Sequence, residues 1–331
     1  MCKIMPRKLE NVFNYSNYFL NPLWYSKLVS RKIQNKLLSS SNSDAIYVVP
    51  TCDVEMDPPW FSHNWSARTN LGLTEGLPKY LGVIEELGSG CTLYVEACII
   101  DEFSDYLSQI KRHEVGSHGY HHEAYSTRVV AKTATAQKTN LSQRRQYLSL
   151  SLEILRKFTG QKPRTFRAPM LHIDAESLSL LEEQGIETDS SICNHFEGKY
   201  HPYHPASKSA DRGHMNLLEI PVTVDPDPKL FSIGAKSPFN LFFHPERRIH
   251  DVTRSIALLK ALCGRLGVPT IICVISHVWE FSDTLATNRG FSSTFSTAMD
   301  EIASNFEVKY CDMTTISKIF SSKKFKRESD P

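Results

Sequence analysis

The sequence of 331 residues lacks any C-x-x-C pair, although it contains eight cysteines. Several of these cysteines lie within apolar, strand-like runs such as CTLYVEACII and TIICVISH. Unpaired cysteines in such runs are typical of buried free thiols, which persist in a reducing compartment. We therefore expect the cysteines to be reduced and mostly buried.

Long apolar runs and a strong charge of either sign are also missing. No run of about 18 apolar residues occurs, so a transmembrane helix is not expected. The first residues, MCKIMPRKLENVF, contain no apolar stretch of the kind found in secretory signals, and we expect a cytoplasmic location. The formal net charge of +2 predicts no nucleic-acid partner and leaves an anionic substrate open. Oligomeric state cannot be inferred from these features.

Residues 1–43 differ in composition from the rest of the chain and form a predicted N-terminal extension. Asn21-Pro22 is typical of a helix start, and the apolar residues that follow recur on one helical stripe. This amphipathic helix either docks on the next domain or makes a peripheral membrane contact through residues 21–38. The polar, basic tail at 321–331 is predicted to be disordered.

Residues 44–320 alternate between strand-like and helix-like segments and form one predicted catalytic domain. The helix-like stretches include LPKYLGVIEELG and DVTRSIALLKALCGRLG, and several end in glycine. Alternation of this kind indicates an α/β fold with a parallel sheet that helices cover. The eight strand-like segments are AIYVVPTC, TLYVEACII, EVGSHG, RTFRAP, GIETDSSI, LLEIPVT, TIICVISH and FEVKYCDM. Such a number of strands can close into a barrel with catalytic groups at the strand ends.

Three carboxylates follow the first strand-like segment. In a strand that continues past Cys52, alternation places Asp53, Glu55 and Asp57 on one side. Carboxylates so close together repel one another, and a bound cation relieves that repulsion. The alternative is an acidic loop without a ligand.

The segment SHGYHH carries histidines at metal-ligand spacing. His118 and His122 are four residues apart, so a helical turn starting there lets both imidazoles share a metal. His121, at a spacing of three, is an alternative ligand. Two histidines and one carboxylate leave positions open for water and substrate, as a catalytic metal requires. A histidine cluster on the surface is the simpler alternative.

Charged residues also end three later strand-like segments. These residues are Arg167 in RTFRAP, Asp189 in GIETDSS and His277 in ISHVWEF. Each alone has a structural explanation; His277, for example, can be a buried histidine that only packs. Together with the first two groups they provide metal ligands, an acid, a base and orienting charges, a set that suits metal-assisted amide hydrolysis.

The motifs TCDVE, SHGYHH, RAP, TDSS and ISHVWEF resemble the five ordered motifs of the polysaccharide deacetylase family, which includes chitin and peptidoglycan deacetylases and forms carbohydrate esterase family four. The resemblance extends from about Ala45 to Phe320. It implies a distorted (β/α) barrel with fewer than eight strands. It also implies a hydrolase that removes the acetyl or formyl group from an N-acylated sugar, for which an intracellular or lipid-linked glycan precursor is the expected substrate.

The resemblance implies a divalent metal held by Glu55, His118 and His122. Zinc is the expected ion, with nickel, cobalt or manganese as alternatives. Many family members have adjacent aspartates in the first motif, whereas Val54 separates the acidic residues here. The sequence therefore leaves open whether Glu55 or Asp57 is the carboxylate ligand.

The resemblance also implies the groups that transfer protons. Asp53 becomes the general base and Arg167 its orienting partner, while His277 becomes the general acid with Asp189 to orient it. The backbone N–H near Met170 is expected to stabilise the oxyanion, although many members have an aromatic residue there. Trp279 is expected to line the substrate site.

Two other functions fit the same residues. One is a hydrolase that cleaves C–N bonds of a linear or cyclic non-sugar amide, because one fold supports many chemistries. The other is a carbohydrate-binding protein without turnover.

Overall fold

The computed structural model describes residues 45–58, 68–127, 138–193, 201–223, 249–285 and 290–322. The predicted N-terminal extension, with its amphipathic helix at 21–38, lies outside these residues. So does the tail from residue 323 onward. Of the helices within the described ranges, none has the length and apolar character needed to cross a membrane.

Eight parallel strands form the main sheet, and each coincides with one of the eight predicted segments. The strands are β1 (Ile46–Val54), β2 (Thr92–Val95), β3 (Glu114–Ser117), β4 (Thr165–Phe166), β5 (Thr188–Asp189), β8 (Leu218–Glu219), β9 (Ile271–His277) and β10 (Val308–Tyr310). Two short strands, β6 (Pro205–Ala206) and β7 (Ser209–Arg212), form a separate antiparallel pair.

The order of the strands makes the sheet curl into an irregular ring. The chain of pairs runs from β1 through β2, β3, β4 and β5 to β8. β9 pairs with β1 from Tyr47 to Asp53, whereas β10 pairs with the beginning of β1 and β2 with its end. Beyond β8, Thr223 N donates to Cys273 O of β9 at 3.0 Å and joins the two ends. The ring therefore contains seven strands, and β10 lies beside it.

Seven α-helices cover the sheet. They are α1 (Leu77–Glu86), α2 (Ile100–Leu107), α3 (Leu141–Thr159), α4 (Ala175–Glu183), α5 (Ile249–Arg265), α6 (Phe291–Asn305) and α7 (Met313–Ser322) within the described residues. The sequence signals explain their ends. Asn140 and Gln143 form a capping box at the start of α3, and Gly160 ends it with a left-handed φ of 78°. The core between sheet and helices is apolar, with residues such as Val48, Leu93 and Ile272 fully buried.

Short helical turns follow several strands and shape the end of the ring where these strands finish. They are Gly72–Gly76, which is π-helical, and the 3₁₀ turns Ala97–Ile99, Pro169–Leu171 and Val278–Phe281. The first packs directly on the last. A Cβ built on Gly76 would lie 1.8 Å from Val278 O, and one on Gly72 would lie 2.7 Å from Trp279 N. Glycine is therefore required at both positions.

The cysteines of the described residues are all free, and six of the seven are buried. Burial raises the pKa of thiols such as Cys193 to about 12, so they stay protonated and unreactive. The expectation of reduced, buried cysteines is confirmed for this part of the chain.

Candidate metal centre and active site

The C-terminal ends of neighbouring strands bring the predicted site residues together. Asp53 and His277 are register partners on β1 and β9, so their side chains begin side by side. His118 follows β3 directly, and Arg167 follows β4. Glu55 lies just beyond the end of β1. Parallel strands that end at one rim explain why residues more than 200 positions apart meet here.

Glu55, His118 and His122 form a buried triad. One ligand atom from each residue lies within 4.8 Å of the others, and the structure shows no second group of this kind among the described residues. Glu55 Oε2 is 3.0 Å from His122 Nε2 and 3.5 Å from His118 Nε2. Burial pushes the pKa of Glu55 upward, but the two imidazoles outweigh burial and hold it well below its usual range. The carboxylate is therefore ionised, as a metal ligand must be.

The donor set and its surroundings fit a catalytic metal. Glu55 Oε1 accepts a hydrogen bond from Trp279 Nε1 at 3.1 Å, while the buried Oε2 accepts none within the described part of the chain. An orphaned buried carboxylate oxygen facing two imidazole nitrogens is what a bound cation would satisfy. His118 Nδ1 hydrogen-bonds to Arg167 O at 2.9 Å, which turns its Nε2 toward Glu55.

His118 and His122 are brought together by a backbone conformation that is not a helical turn. Residues 118–122 form no helix; Gly119 and His122 adopt left-handed φ angles of 80° and 61°. The helical turn considered for this segment is not formed, although the imidazoles still meet. The Glu123 carboxylate explains the conformation, because it accepts hydrogen bonds from Tyr120 N and His121 N and holds the loop. Sequence analysis had given Glu123 no role.

The two alternative ligands lie elsewhere. The Asp57 carboxylate accepts hydrogen bonds from Thr69 Oγ1, Leu71 N and Gly72 N at 2.6–2.8 Å. It anchors the segment after residue 68 rather than a metal. His121 Nδ1 instead lies 3.5 Å from Glu123. Of the two candidate carboxylates, the structure thus places Glu55 in the triad.

Asp53 lies between the triad, Arg167 and His277. Its Oδ1 accepts a hydrogen bond from Arg167 Nη1 at 2.8 Å. Its Oδ2 is 3.9 Å from His118 Nε2 and 3.7 Å from His277 Nε2. One carboxylate oxygen is thus fixed, and the other faces the space between the ligand and the candidate acid.

The Arg167 guanidinium is fully buried and has an acceptor for each of its five N–H groups. These acceptors are Asp53 Oδ1, Thr51 Oγ1, Ser190 O, Ser190 Oγ and Cys273 Sγ. Its carbon also lies 4.3 Å from the centroid of the Tyr94 ring. Because this planar guanidinium is hydrogen-bonded at every N–H group, it holds the Asp53 carboxylate in one orientation.

His277 has a different partner from the one expected. Asp189 was expected to orient it, but the carboxylate beside His277 is Glu280, with Oε2 3.4 Å from Nδ1. Asp189 faces Ser191 and the neighbouring strand β8 instead. Burial lowers the pKa of His277, but Glu280, Asp53 and Glu55 raise it to about 9. Glu280 lies beside His277 because the 3₁₀ turn after β9 folds its side chain back, where it accepts a hydrogen bond from His277 N at 2.8 Å.

Trp279 lies beside the site, and Met170 lies in the turn that follows Arg167. Met170 lies in the turn Pro169–Leu171 with a left-handed φ of 60°, an unusual angle for a residue with a side chain, and it is half-buried. Trp279 stacks on His277 with ring centroids 4.7 Å apart. Besides its bond to Glu55, Trp279 therefore forms one wall beside the candidate acid.

A buried ion pair absent from the sequence predictions braces the loop with Glu55. Arg68 donates to Glu96 Oε1 at 2.8 Å and to the carbonyls of Met56 and Asp57. Glu96 in turn accepts from Met56 N at 3.1 Å. No local sequence signal marks this pair, because its members are 28 residues apart.

Comparison with known proteins agrees with the motifs. Residues 68–188 match the sequence model of the polysaccharide deacetylase family. A peptidoglycan deacetylase from Helicobacter pylori is 29% identical over 119 residues, which is 35% of this chain and 37% of that protein. The matched stretch thus spans little more than a third of the relative.

Solved structures show the same fold. A Mycobacterium smegmatis protein assigned as a polysaccharide deacetylase has a TM-score of 0.59 at 21% identity, covering 86% of this chain and 92% of its own. An allantoinase has a TM-score of 0.58 at 15% identity, with 84% and 93% covered. The predicted distorted (β/α) barrel is confirmed. The resemblance to the polysaccharide deacetylases is confirmed over residues 68–188, a stretch that contains the motifs SHGYHH and RAP.

Proposed function

We propose that the chain is a metal-dependent hydrolase that removes the acetyl or formyl group from an N-acylated sugar. The observation that carries this proposal is the position of Asp53 Oδ2, 3.9 Å from the triad nitrogen of His118 and 3.7 Å from His277 Nε2. A base and an acid on either side of one metal site are what amide hydrolysis needs.

The residues divide the proton transfers between them. When bound to the triad, a divalent cation supplies Lewis acidity toward an acyl oxygen and toward water. Asp53, oriented by its hydrogen bond from Arg167, takes a proton from the attacking water as the new C–O bond forms. His277, protonated through Glu280, gives its proton to the leaving nitrogen as the C–N bond breaks. The products are a carboxylate and an amine.

His277 matters because an amine is a poor leaving group. Its pKa of about 9 keeps the imidazole protonated at neutral pH, so the acid is ready when the bond breaks. The Met170 turn follows Arg167 directly. We propose that a backbone N–H there binds the developing oxyanion.

Zinc is our choice of metal. Two imidazoles and one carboxylate match a common catalytic zinc set, although nickel, cobalt or manganese also bind such sites. We further propose a cytoplasmic protein that acts on an intracellular or lipid-linked glycan precursor. The support is the free cysteines of the described residues, which a reducing compartment maintains, and the basic, amphipathic pattern of residues 21–38 in the sequence.

The test is release of acetate and formate from a panel of N-acylated sugars and lipid-linked sugar carriers, with and without chelator. The panel includes linear and cyclic non-sugar amides, because an allantoinase shares the fold and a fold alone does not determine the substrate. We expect chelator-sensitive release from sugars and loss of turnover in Asp53→Asn. Turnover of non-sugar amides alone would favour the second candidate. Stoichiometric metal without turnover on any member would favour a binding protein.

A further inference from the structure

Two carboxyl groups that the proposed chemistry does not use lie side by side inside the ring. Asp189 on β5 and Glu219 on β8 are Cα partners in the parallel register. Both side chains are fully buried. Placing two ionised carboxylates next to each other away from water is unfavourable, so a compensating charge or a proton is required.

The hydrogen bonds around this carboxyl pair leave one oxygen of each group unsatisfied. Asp189 Oδ1 accepts from Ser191 Oγ at 2.6 Å, and Glu219 Oε1 accepts from Ile192 N at 3.0 Å. Within the described residues, the buried Asp189 Oδ2 and Glu219 Oε2 receive no hydrogen bond from any nitrogen or hydroxyl group. The two unsatisfied oxygens therefore belong to neighbouring carboxyl groups, and a proton held between them would satisfy both.

No cation among the described residues binds the carboxyl pair. Arg167 is the charged group that faces it from β4, and each of its five N–H groups already has another acceptor. Cys273 on β9 also faces Glu219, and it is a protonated thiol because burial raises its pKa. Arg167 thus acts on the pair only through space.

The surroundings assign the proton to Glu219. Burial and then the neighbouring Asp189 raise the pKa of Glu219 well above its usual range. Burial also raises the pKa of Asp189, but hydrogen bonds from Glu219 and Ser191 oppose that rise. A carboxylic acid next to a carboxylate is the arrangement that two buried, adjacent carboxyl groups adopt to avoid a double charge.

The carboxyl pair is connected to the active site through β5. Ser191 Oγ donates to Asp189 and accepts from Ala168 N at 2.8 Å. The adjacent Ser190 accepts from Arg167 through its carbonyl and its hydroxyl group. The end of β5 therefore holds the end of β4, which carries Arg167 and leads into the Met170 turn.

We propose that Glu219 and Asp189 share one proton as an acid–carboxylate pair and act as positioning residues for the strand end that carries Arg167 and Met170. The positioning role rests on the proposed function, whereas the shared proton does not.

The shared proton is tested without any substrate. Infrared spectra of the wild type at neutral pH should contain the carbonyl stretch of a protonated carboxyl group, and Glu219→Gln should remove that signal. Asp174→Asn is the matched control, because it removes a carboxylate whose pKa is lowered by capping hydrogen bonds and Arg144 despite partial burial. It should leave the signal in place. An unchanged spectrum in Glu219→Gln overturns the shared proton.

The pH dependence of stability provides an independent measurement. A raised pKa in the folded state makes Glu219 stabilising at low pH, and this contribution is lost as pH rises above the unfolded value of about 4.3. Glutamine mimics the protonated acid at every pH. The unfolding equilibrium constant of the wild type, relative to that of Glu219→Gln, should therefore rise by about tenfold per pH unit until Glu219 ionises in the folded protein. A ratio that does not change between pH 5 and 8 would show a packing role and reject the proposal.

The positioning role is tested by kinetics on the best substrate of the panel. Glu219→Ala should lower kcat by about tenfold or more at unchanged metal content, and Glu219→Gln should restore most of it. Equal kcat in all three proteins rejects positioning. If Glu219→Ala does not fold, the kcat of Glu219→Gln and the infrared spectra still test the proposal. If no substrate is turned over, the proposed function fails while the infrared and unfolding results still judge the proton.

Discussion

At the scale of single residues, the metal ligands are the first assignment to test. His118→Ala with His122→Ala should reduce bound metal to background, because only Glu55 of the triad remains. His121→Ala is the matched control: it changes a neighbouring histidine whose Nδ1 faces Glu123. Metal content measured by elemental analysis should stay near one per chain in the control. Full metal content in the double variant would remove the triad from consideration.

The base and the ligand carboxylate are distinguished by a second pair of variants. Asp53→Asn should keep the metal and lower kcat by roughly a hundredfold or more, the usual scale for loss of a general base. Glu55→Gln should lose metal instead. The two roles must be exchanged if Asp53→Asn loses metal while Glu55→Gln retains it.

Glu280 gives a prediction about pH. The pKa of His277, lowered by burial but raised to about 9 chiefly by Glu280, predicts that kcat falls as pH rises through about 9 and His277 loses its proton. Glu280→Gln removes the neighbouring charge and should move this fall in kcat to lower pH. Asp283→Asn, an exposed carboxylate three residues farther along that pairs with Lys79, is the control and should not move it. If kcat of Glu280→Gln falls at the same pH as in the wild type, the fall reflects the ionisation of another group.

At the scale of elements, two Gly→Ala changes should have opposite effects on the free energy of unfolding, one in the Gly72–Gly76 turn and one in α1. In Gly76→Ala the new Cβ meets Val278 O at 1.8 Å, so we expect destabilisation of about 1–3 kcal/mol from overpacking. Gly82 lies in α1 with open space around a new Cβ, and Gly82→Ala should stabilise by roughly 0.5–1 kcal/mol. Chemical denaturation of both variants measures the two changes. Equal effects would contradict the packing of the two turns.

The sequence predicted strands more reliably than the turns that follow them. All eight strand-like segments became strands, and the continuous apolar runs of β1, β2 and β9 reflect burial on both faces. The strand lengths were not predictable; β4, β5 and β8 contain two residues each. A helical turn was one way for SHGYHH to bring its histidines together, but Glu123 holds the loop in another conformation through hydrogen bonds from backbone N–H groups that spacing does not encode.

The partner of His277 shows the same limit. Motif order suggested Asp189, yet the 3₁₀ turn places Glu280, three residues away, beside the imidazole. A capping pattern with an acidic residue at the third position was present in HVWE and would have indicated this contact. The buried Arg68–Glu96 pair had no comparable signal.

At the scale of the whole molecule, the described part of the chain forms a ring with its own core. The prediction for residues 1–43 follows from this. A truncated protein that starts near Asp44 should remain soluble and bind metal, because the strands and the triad all lie after that point. Thermal melting and metal analysis of the truncated and full-length proteins provide the comparison. Aggregation or a much lower Tm would show that the extension completes the core, and loss of vesicle binding alone would support the membrane contact.

The contact between Gly76 and Val278 O also constrains laboratory evolution of this protein. Beside Trp279 and His277, the Gly72–Gly76 turn packs backbone against backbone, so residues 72 and 76 offer no side chain to enlarge or trim. Libraries that randomise residues 72 and 76 would mostly yield misfolded protein. New substrate ranges are more accessible through Met170, in the turn that follows Arg167, where a half-buried side chain can be replaced by others of different size.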